Sequence, residues 1–138
     1  MAVTQLAVFM ENRKGRLQEL TETLGAAGID LVALNIADTG EFGILRAVTR
    51  DNERAARLLK DAGFTVQLKT VVAAEVADAA GGLAKMLGVL SAENIDIEYL
   101  YSFSRTKQGA VILFRSDDDV RAADALRSKG FKLLGEKI

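Results

Sequence analysis

This 138-residue sequence predicts two copies of one α+β module, each running strand, helix, strand, strand, helix, strand. Three observations carry that reading: the chain matches itself at an offset of 66 residues, apolar residues recur at strand and helix spacing in matching places, and glycines or acids stand at the joins. Set beside residue i+66, Gly15 falls on Gly81, Leu17 on Leu83, Leu24 on Leu90, Ile29-Asp30 on Ile95-Asp96, Gly43 on Gly109 and Asp51 on Asp117. Beyond Asp117-Asp118-Asp119 the offset is 67, placing Arg54-Ala55-Ala56 on Arg121-Ala122-Ala123 and Gly63-Phe64 on Gly130-Phe131. One residue inserted in that acidic turn is the expected cause. The boundary between copies is drawn at residues 1–69 and 70–138.

In the first copy, Gln5 to Met10 alternates and is rich in β-formers, and Asn12-Arg13-Lys14-Gly15 breaks it. Leu17, Leu20 and Leu24 then recur at helical spacing until Gly28. Leu31 to Ala37 and Ile44 to Thr49 read as strands of a hairpin around Asp38-Thr39-Gly40-Glu41-Phe42-Gly43. Asp51 and Asn52 are ready N-caps for a helix carrying Ala55, Leu58, Leu59 and Ala62, closed by Gly63 before a strand from Phe64 to Leu68.

The second copy repeats the pattern. A strand Val71 to Val76 leads to Asp78-Ala79-Ala80-Gly81-Gly82, and a helix carries Leu83, Met86, Leu87 and Leu90. Strands Ile97 to Phe103 and Ala110 to Phe114 flank Thr106-Lys107-Gln108-Gly109, followed by a helix Val120 to Lys129 and a strand Phe131 to Leu134. This order is that of the ferredoxin-like fold, antiparallel sheets with helices on one face. One such module buries only about 60% of its unfolded surface. The two are therefore expected to pack together, related by a pseudo-twofold axis.

Composition narrows the chemistry. With 18 Lys+Arg against 19 Asp+Glu, the chain has no cationic surplus for phosphate backbones, so nucleic acid is not an expected partner. Absence of Cys and His removes disulfides, thiol nucleophiles, Ser-His pairs and the usual zinc ligands. No catalytic residues, cofactor or metal site are expected, and Glu53 and Asp117 to Asp119 read as helix caps and first-turn charges. The most apolar stretch, Thr70 to Ala80, is interrupted by Glu75 and Asp78, so no membrane span is predicted. The start, Met1 to Leu6, shows no secretory pattern, and a cytosolic location is expected.

The informative segments are the two strand-to-helix loops. Each sets a polar residue, Asn12 or Asp78, after a strand, then a Gly, then a helix whose unbonded N–H groups suit a small carboxylate. The plainer reading is that Asn12 and Asp78 only cap helices. Asp30 and Asp96 begin the second strand of each copy and are either partners for an ammonium group or solvated edge acids. Arg13, Lys14 and Arg16 form a cationic cluster that is either solvated surface or an attractor of carboxylates. Tyr99, Tyr101 and Phe103 stand where the first copy has Ala33, Asn35 and Ala37, as core packing or as a difference between two ligand sites.

Asn-Arg-Lys-Gly-Arg-Leu followed by Gly-Ile-Asp-Leu, and Asp-Ala-Ala-Gly-Gly-Leu followed by Asn-Ile-Asp-Ile, resemble the ACT domain, a module that senses small molecules in amino-acid metabolism. The stretch Asn35 to Arg46 resembles stand-alone tandem ACT proteins, and the likeness runs from about residue 4 to residue 136. The resemblance implies an amino acid bound at the interface between paired modules, in contact with Asn12, Gly15, Arg16, Leu17, Asp30 and Leu31 from one copy. From the other it implies Asp78, Gly81, Gly82, Leu83, Asp96 and Ile97. The family's loop commonly has Pro before its Gly, whereas Lys14 and Ala80 stand here, which implies a less preorganised loop. Both copies also carry Asp where the family's second strand often has Asn. The expected function is a non-catalytic amino-acid sensor, a homodimer reporting to a regulated partner enzyme. The alternative is an interaction or dimerisation module without a ligand.

Overall fold

The computed structural model describes residues 2–11, 13–38, 40, 42–104 and 109–135. The elements are β1 (Val3–Glu11), α1 (Arg16–Ala26), β2 (Leu31–Asp38), β3 (Phe42–Thr49), α2 (Asn52–Asp61), β4 (Thr65–Val76), α3 (Gly82–Ala92), β5 (Ile97–Ser104), β6 (Ala110–Ser116) and α4 (Asp119–Ser128). They form two compact units. One comprises Thr4–Thr70, and the other begins at Val71 and takes in Val3. Strand order is β2-β3-β1-β4 in the first unit and β4-β6-β5 in the second, so the 12-residue β4 serves both. No break separates the last strand of one module from the first strand of the next at the boundary drawn between residues 69 and 70.

Pairing is antiparallel throughout the described strands. In the first unit Leu6 pairs with Ala47 and Val8 with Leu45, setting these residues on one face beneath Leu20, Leu24, Ala55 and Leu59 of α1 and α2. In the second, Val72 pairs with Phe114 and Ala74 with Ile112 beneath Met86, Leu90, Ala122 and Leu126. Period-2 alternation in the strands and 3.6-residue spacing in the helices thus meet in a separate apolar core for each unit. Tyr101 is buried and Tyr99 half-buried on the opposite sheet face, since their neighbour Leu100 packs toward the helices.

Register corrects the repeat alignment. Met10 pairs with Gly43 and Val76 with Ala110, so the partner of Gly43 across the repeat is Ala110, not Gly109. The offset has already become 67 in β6. The extra residue lies in the hairpin connection, four residues between Asp38 and Gly43 against five between Ser104 and Ala110, not in the acidic turn. Hydrogen bonds agree, because Asp51 caps α2 through the Arg54 N–H and its equivalent is Asp118, which caps α4 through the Arg121 N–H. Arg54 donates to the Ala27 carbonyl just as Arg121 donates to that of Glu93. Even the bulges coincide, between Leu31 and Ala33 in β2 and between Ile97 and Tyr99 in β5.

The expected closing strand Phe131 to Leu134 is reduced to a single bridge, Ala74 with Leu133, flanked by the bonds Glu75 N–H to Lys132 O and Leu134 N–H to Ala73 O. No helix among the described residues is long and apolar enough to cross a membrane.

The helix starts fall into two kinds. Asp51 and Asp118 cap α2 and α4 with their side chains, whereas α1 and α3 begin at Gly15 and Gly81 with no side-chain cap. Asp78 therefore caps nothing, and the plainer reading of that residue fails. Asp118→Ala should lower stability by about 1 kcal/mol while Asp78→Ala leaves it unchanged, as read by urea denaturation. Phe114→Ala, which empties the centre of the second core, should cost about 3–5 kcal/mol in the same assay.

Candidate functional site

The two loops that end β1 and the shared strand β4 turn in the same way. Gly15 (φ 84°) and Gly81 (φ 87°) both lie in the left-handed region, which costs any side-chain-bearing residue about 1–2 kcal/mol. At neither position would an added Cβ meet an atom within 4 Å, so the demand for glycine is torsional. Gly82 is different. The Ala77 carbonyl oxygen occupies the place its Cβ would take, so only glycine fits there.

These turns decide which amides are available. The Arg16 N–H bonds to the Arg13 carbonyl at 3.3 Å, and the Gly82 N–H to that of Ala79 at 3.0 Å. The N–H groups of Arg16 and Gly82, two of the residues the resemblance sets against the ligand, are thus spent within their own turns. Among the described residues, the N–H groups of Leu17 and Gln18, and of Leu83 and Ala84, have no acceptor. Gln18 and Ala84 are additions that sequence reasoning missed. Which N–H a turn consumes depends on backbone torsions, and no residue type announces it. Leu17 and Leu83 flank the open amides with side chains 39% and 37% exposed. Asn12 lies outside the described residues.

Asp30 and Asp96 do their structural work through the backbone. The Asp30 carbonyl accepts the Arg50 N–H at 3.2 Å, and the Asp96 carbonyl accepts that of Asp117 at 3.0 Å. The Asp96 N–H in turn donates to Asp117 Oδ1 at 3.1 Å. Both aspartates are exposed, and Asp30 Oδ2 stands 3.9 Å from Arg50 Nε, a pair of small energetic weight at such exposure. Leu31 and Ile97 follow them, half-buried against the cores. Asp78, Gly15, Gly81 and Leu83 are exposed.

Within the second unit the expected residues do not share one hollow. A recess of about 370 Å³ is lined by Gly82 together with Lys85, Phe131 and others, and a separate one of about 130 Å³ by Asp96 and Ile97 with Ser91 and Asn94. The resemblance implied Gly82 and Asp96 as contacts of one ligand; within this unit they line different hollows.

Arg16 also departs from expectation. Its guanidinium lies 3.8 Å from the centroid of the Phe64 ring, Nη1 pairs with Glu19 Oε2 at 3.0 Å, and Nη2 reaches the Gly63 carbonyl at 3.5 Å. Its Nε is buried without a partner. Arg16 is thus a packed side chain, and the cationic cluster reduces to Arg13 and Lys14, with Arg13 set 3.5 Å from Glu11. Among the described residues no group of three or more Asp and Glu side chains is placed to hold a metal ion.

Comparisons with known proteins agree with this geometry. A family model described as an ACT domain pair matches residues 1–137. A protein of known structure from Bacteroides thetaiotaomicron is 41% identical, with 97% of this chain and 92% of that one covered, at a TM-score of 0.90. The ligand-free regulatory subunit of aspartate kinase from Thermus thermophilus has the same fold at 13% identity, with 92% of each chain covered and a TM-score of 0.65. The corresponding subunit from Thermus flavus is 15% identical, with 91% of this chain and 90% of that one covered, at a TM-score of 0.60. A comparison with curated proteins found no match. Since that family model spans nearly all of it, the chain belongs to the ACT domain pair family.

Proposed function

We propose that this protein is a non-catalytic regulator that binds an amino acid, its carboxylate received by the open amides of Leu17 and Gln18 or of Leu83 and Ala84. The observation that carries the reading is the contrast among the four helix starts. Aspartate carboxylates stand over the starts of α2 and α4, whereas α1 and α3 begin at glycines with no side-chain cap, so their open amides lie at the positive end of the helix dipole with no carboxylate of the chain bonded to them. The exposed carboxylates of Asp30 and Asp96 are the candidate partners of the ligand's ammonium. A regulatory role accords with the fold shared with aspartate kinase regulatory subunits. A chain with no His and no Cys offers little for catalysis.

Regulation through such a ligand requires different affinities for two arrangements of the protein, and something to report to. A homodimer and a partner enzyme are the proposed recipients. A second reading, assembly without a ligand, is favoured by one observation. Edge strand β2 exposes Leu34 at 46% and Ile36 at 42%, an apolar edge that invites pairing with another chain.

A thermal-shift screen of the common amino acids separates the two. A true ligand at about 100 times its dissociation constant should add roughly 2.7 kcal/mol, several degrees for a chain of this size. No shift with any of them, together with a dimer in sedimentation, would leave the assembly reading. Leu17→Asp with Leu83→Asp places a carboxylate beside the open amides, so the doubly substituted protein should fold and lose the shift. Retention of the full shift in that variant would place the ligand elsewhere.

A further inference from the structure

The two units differ where their first helix meets the chain that follows their second helix. In the first unit that corner is filled by the Arg16 side chain, only 12% exposed and stacked on Phe64. In the second unit Gly82 stands in place of Arg16, and the Ala77 carbonyl bars any side chain from growing there. Phe131, the repeat partner of Phe64, remains, and beside it opens the recess of about 370 Å³.

Charge reverses together with the loss of the arginine. Lys85 replaces Glu19, Lys129 replaces Ala62 and Lys132 replaces Thr65, and all three lysines line the recess. None of their ammonium groups has a carboxylate within 4.0 Å among the described residues, and all three residues are exposed. Glu75, also on the wall, turns its carboxylate toward Gly109.

The geometry points to a second binding site, for a small flat anion: a planar ring bearing a carboxylate or phosphate, stacked on Phe131 and held by Lys85, Lys129 and Lys132. Flatness follows from the group whose place it takes, a planar guanidinium on the equivalent ring. Negative charge follows from three unpaired ammonium groups, which would repel a guanidinium guest. The volume is at the lower end of ligand pockets, of about 300–1,000 Å³, which sets a small guest. Only Gly82 is common to this site and to the expected amino-acid contacts, and its role here is to leave room.

The test is an NMR titration of the full chain with naphthalene-2-carboxylate, with inorganic phosphate and naphthalene-2-methanol as charge-only and plane-only controls. Saturable shifts at Gly82, Lys85, Gly130, Phe131 and Lys132 are expected with the carboxylate, and binding about tenfold weaker with each control. Restoring the first unit's residues at exposed positions, Lys85→Glu, Lys129→Ala and Lys132→Thr together, should weaken the carboxylate by about tenfold or more with the thermal midpoint unchanged. Should that variant fail to fold, Lys85→Gln alone and Phe131→Leu alone should each weaken it a few-fold. No shifts up to millimolar carboxylate, equal binding of the neutral alcohol, or undiminished binding by the folded variants would overturn the proposal.

Discussion

Antiparallel pairing between a first strand and its third is the constraint on which each unit rests. Side chains alternate along a strand, so the pairing of Leu6 with Ala47, or of Val72 with Phe114, decides in one step which residues face the helices. A slip of one residue would send Leu6, Val8 and Met10 to the other face and strip the core of three of its members. The helix-start hydrogen bonds then follow. With β3 in register, Thr49 offers its N–H and hydroxyl to Asn52 Oδ1 and Asp51 caps α2; with β6 in register, Ser116 and Asp119 make the same pair and Asp118 caps α4.

That frame holds two kinds of helix start apart. Where an aspartate caps, its carboxylate accepts the third helical N–H and sets a negative charge over the helix start, which opposes a second anion. Where a left-handed glycine stands instead, the turn consumes one donor and leaves two. Among the described helices the second kind occurs at the loops leaving β1 and β4, a division of labour repeated in both units. Capping is worth about 1 kcal/mol, so a fold that forgoes it at α1 and again at α3 gives up stability at two helix starts.

Duplication also makes the differences between copies readable. Arg16 buries an Nε without a partner, an arrangement with a desolvation cost of about 1–3 kcal/mol that stacking on Phe64 and the pair with Glu19 offset. The other unit has dispensed with the arginine, and the pinched Ala77 carbonyl keeps the vacated corner open. One fold thus presents the same aromatic ring covered in one copy and accessible in the other.

Much of this was legible in the chain itself. The repeat, the strand and helix order, the glycines at Gly15, Gly28, Gly63, Gly81 and Gly130, and the caps at the second helices all depend on local preferences that residue types carry openly. Three matters were not. The position of the extra residue was misjudged because Gly43 over Gly109 is a coincidence of type, and only cross-strand partners reveal register. The last strand shrank to one bridge because a β-like run does not dictate how far its ladder extends. The fate of Arg16, a solvated cation by spacing and a packed stack in the fold, was set by Phe64, 48 residues away in the chain. The sequence by itself determined the elements and their duplication, since those are written in residue types and their spacing along the chain; which amides stay open was decided by the torsions of two turns, and which corner is filled by a contact between distant segments, which only the folded chain brings together.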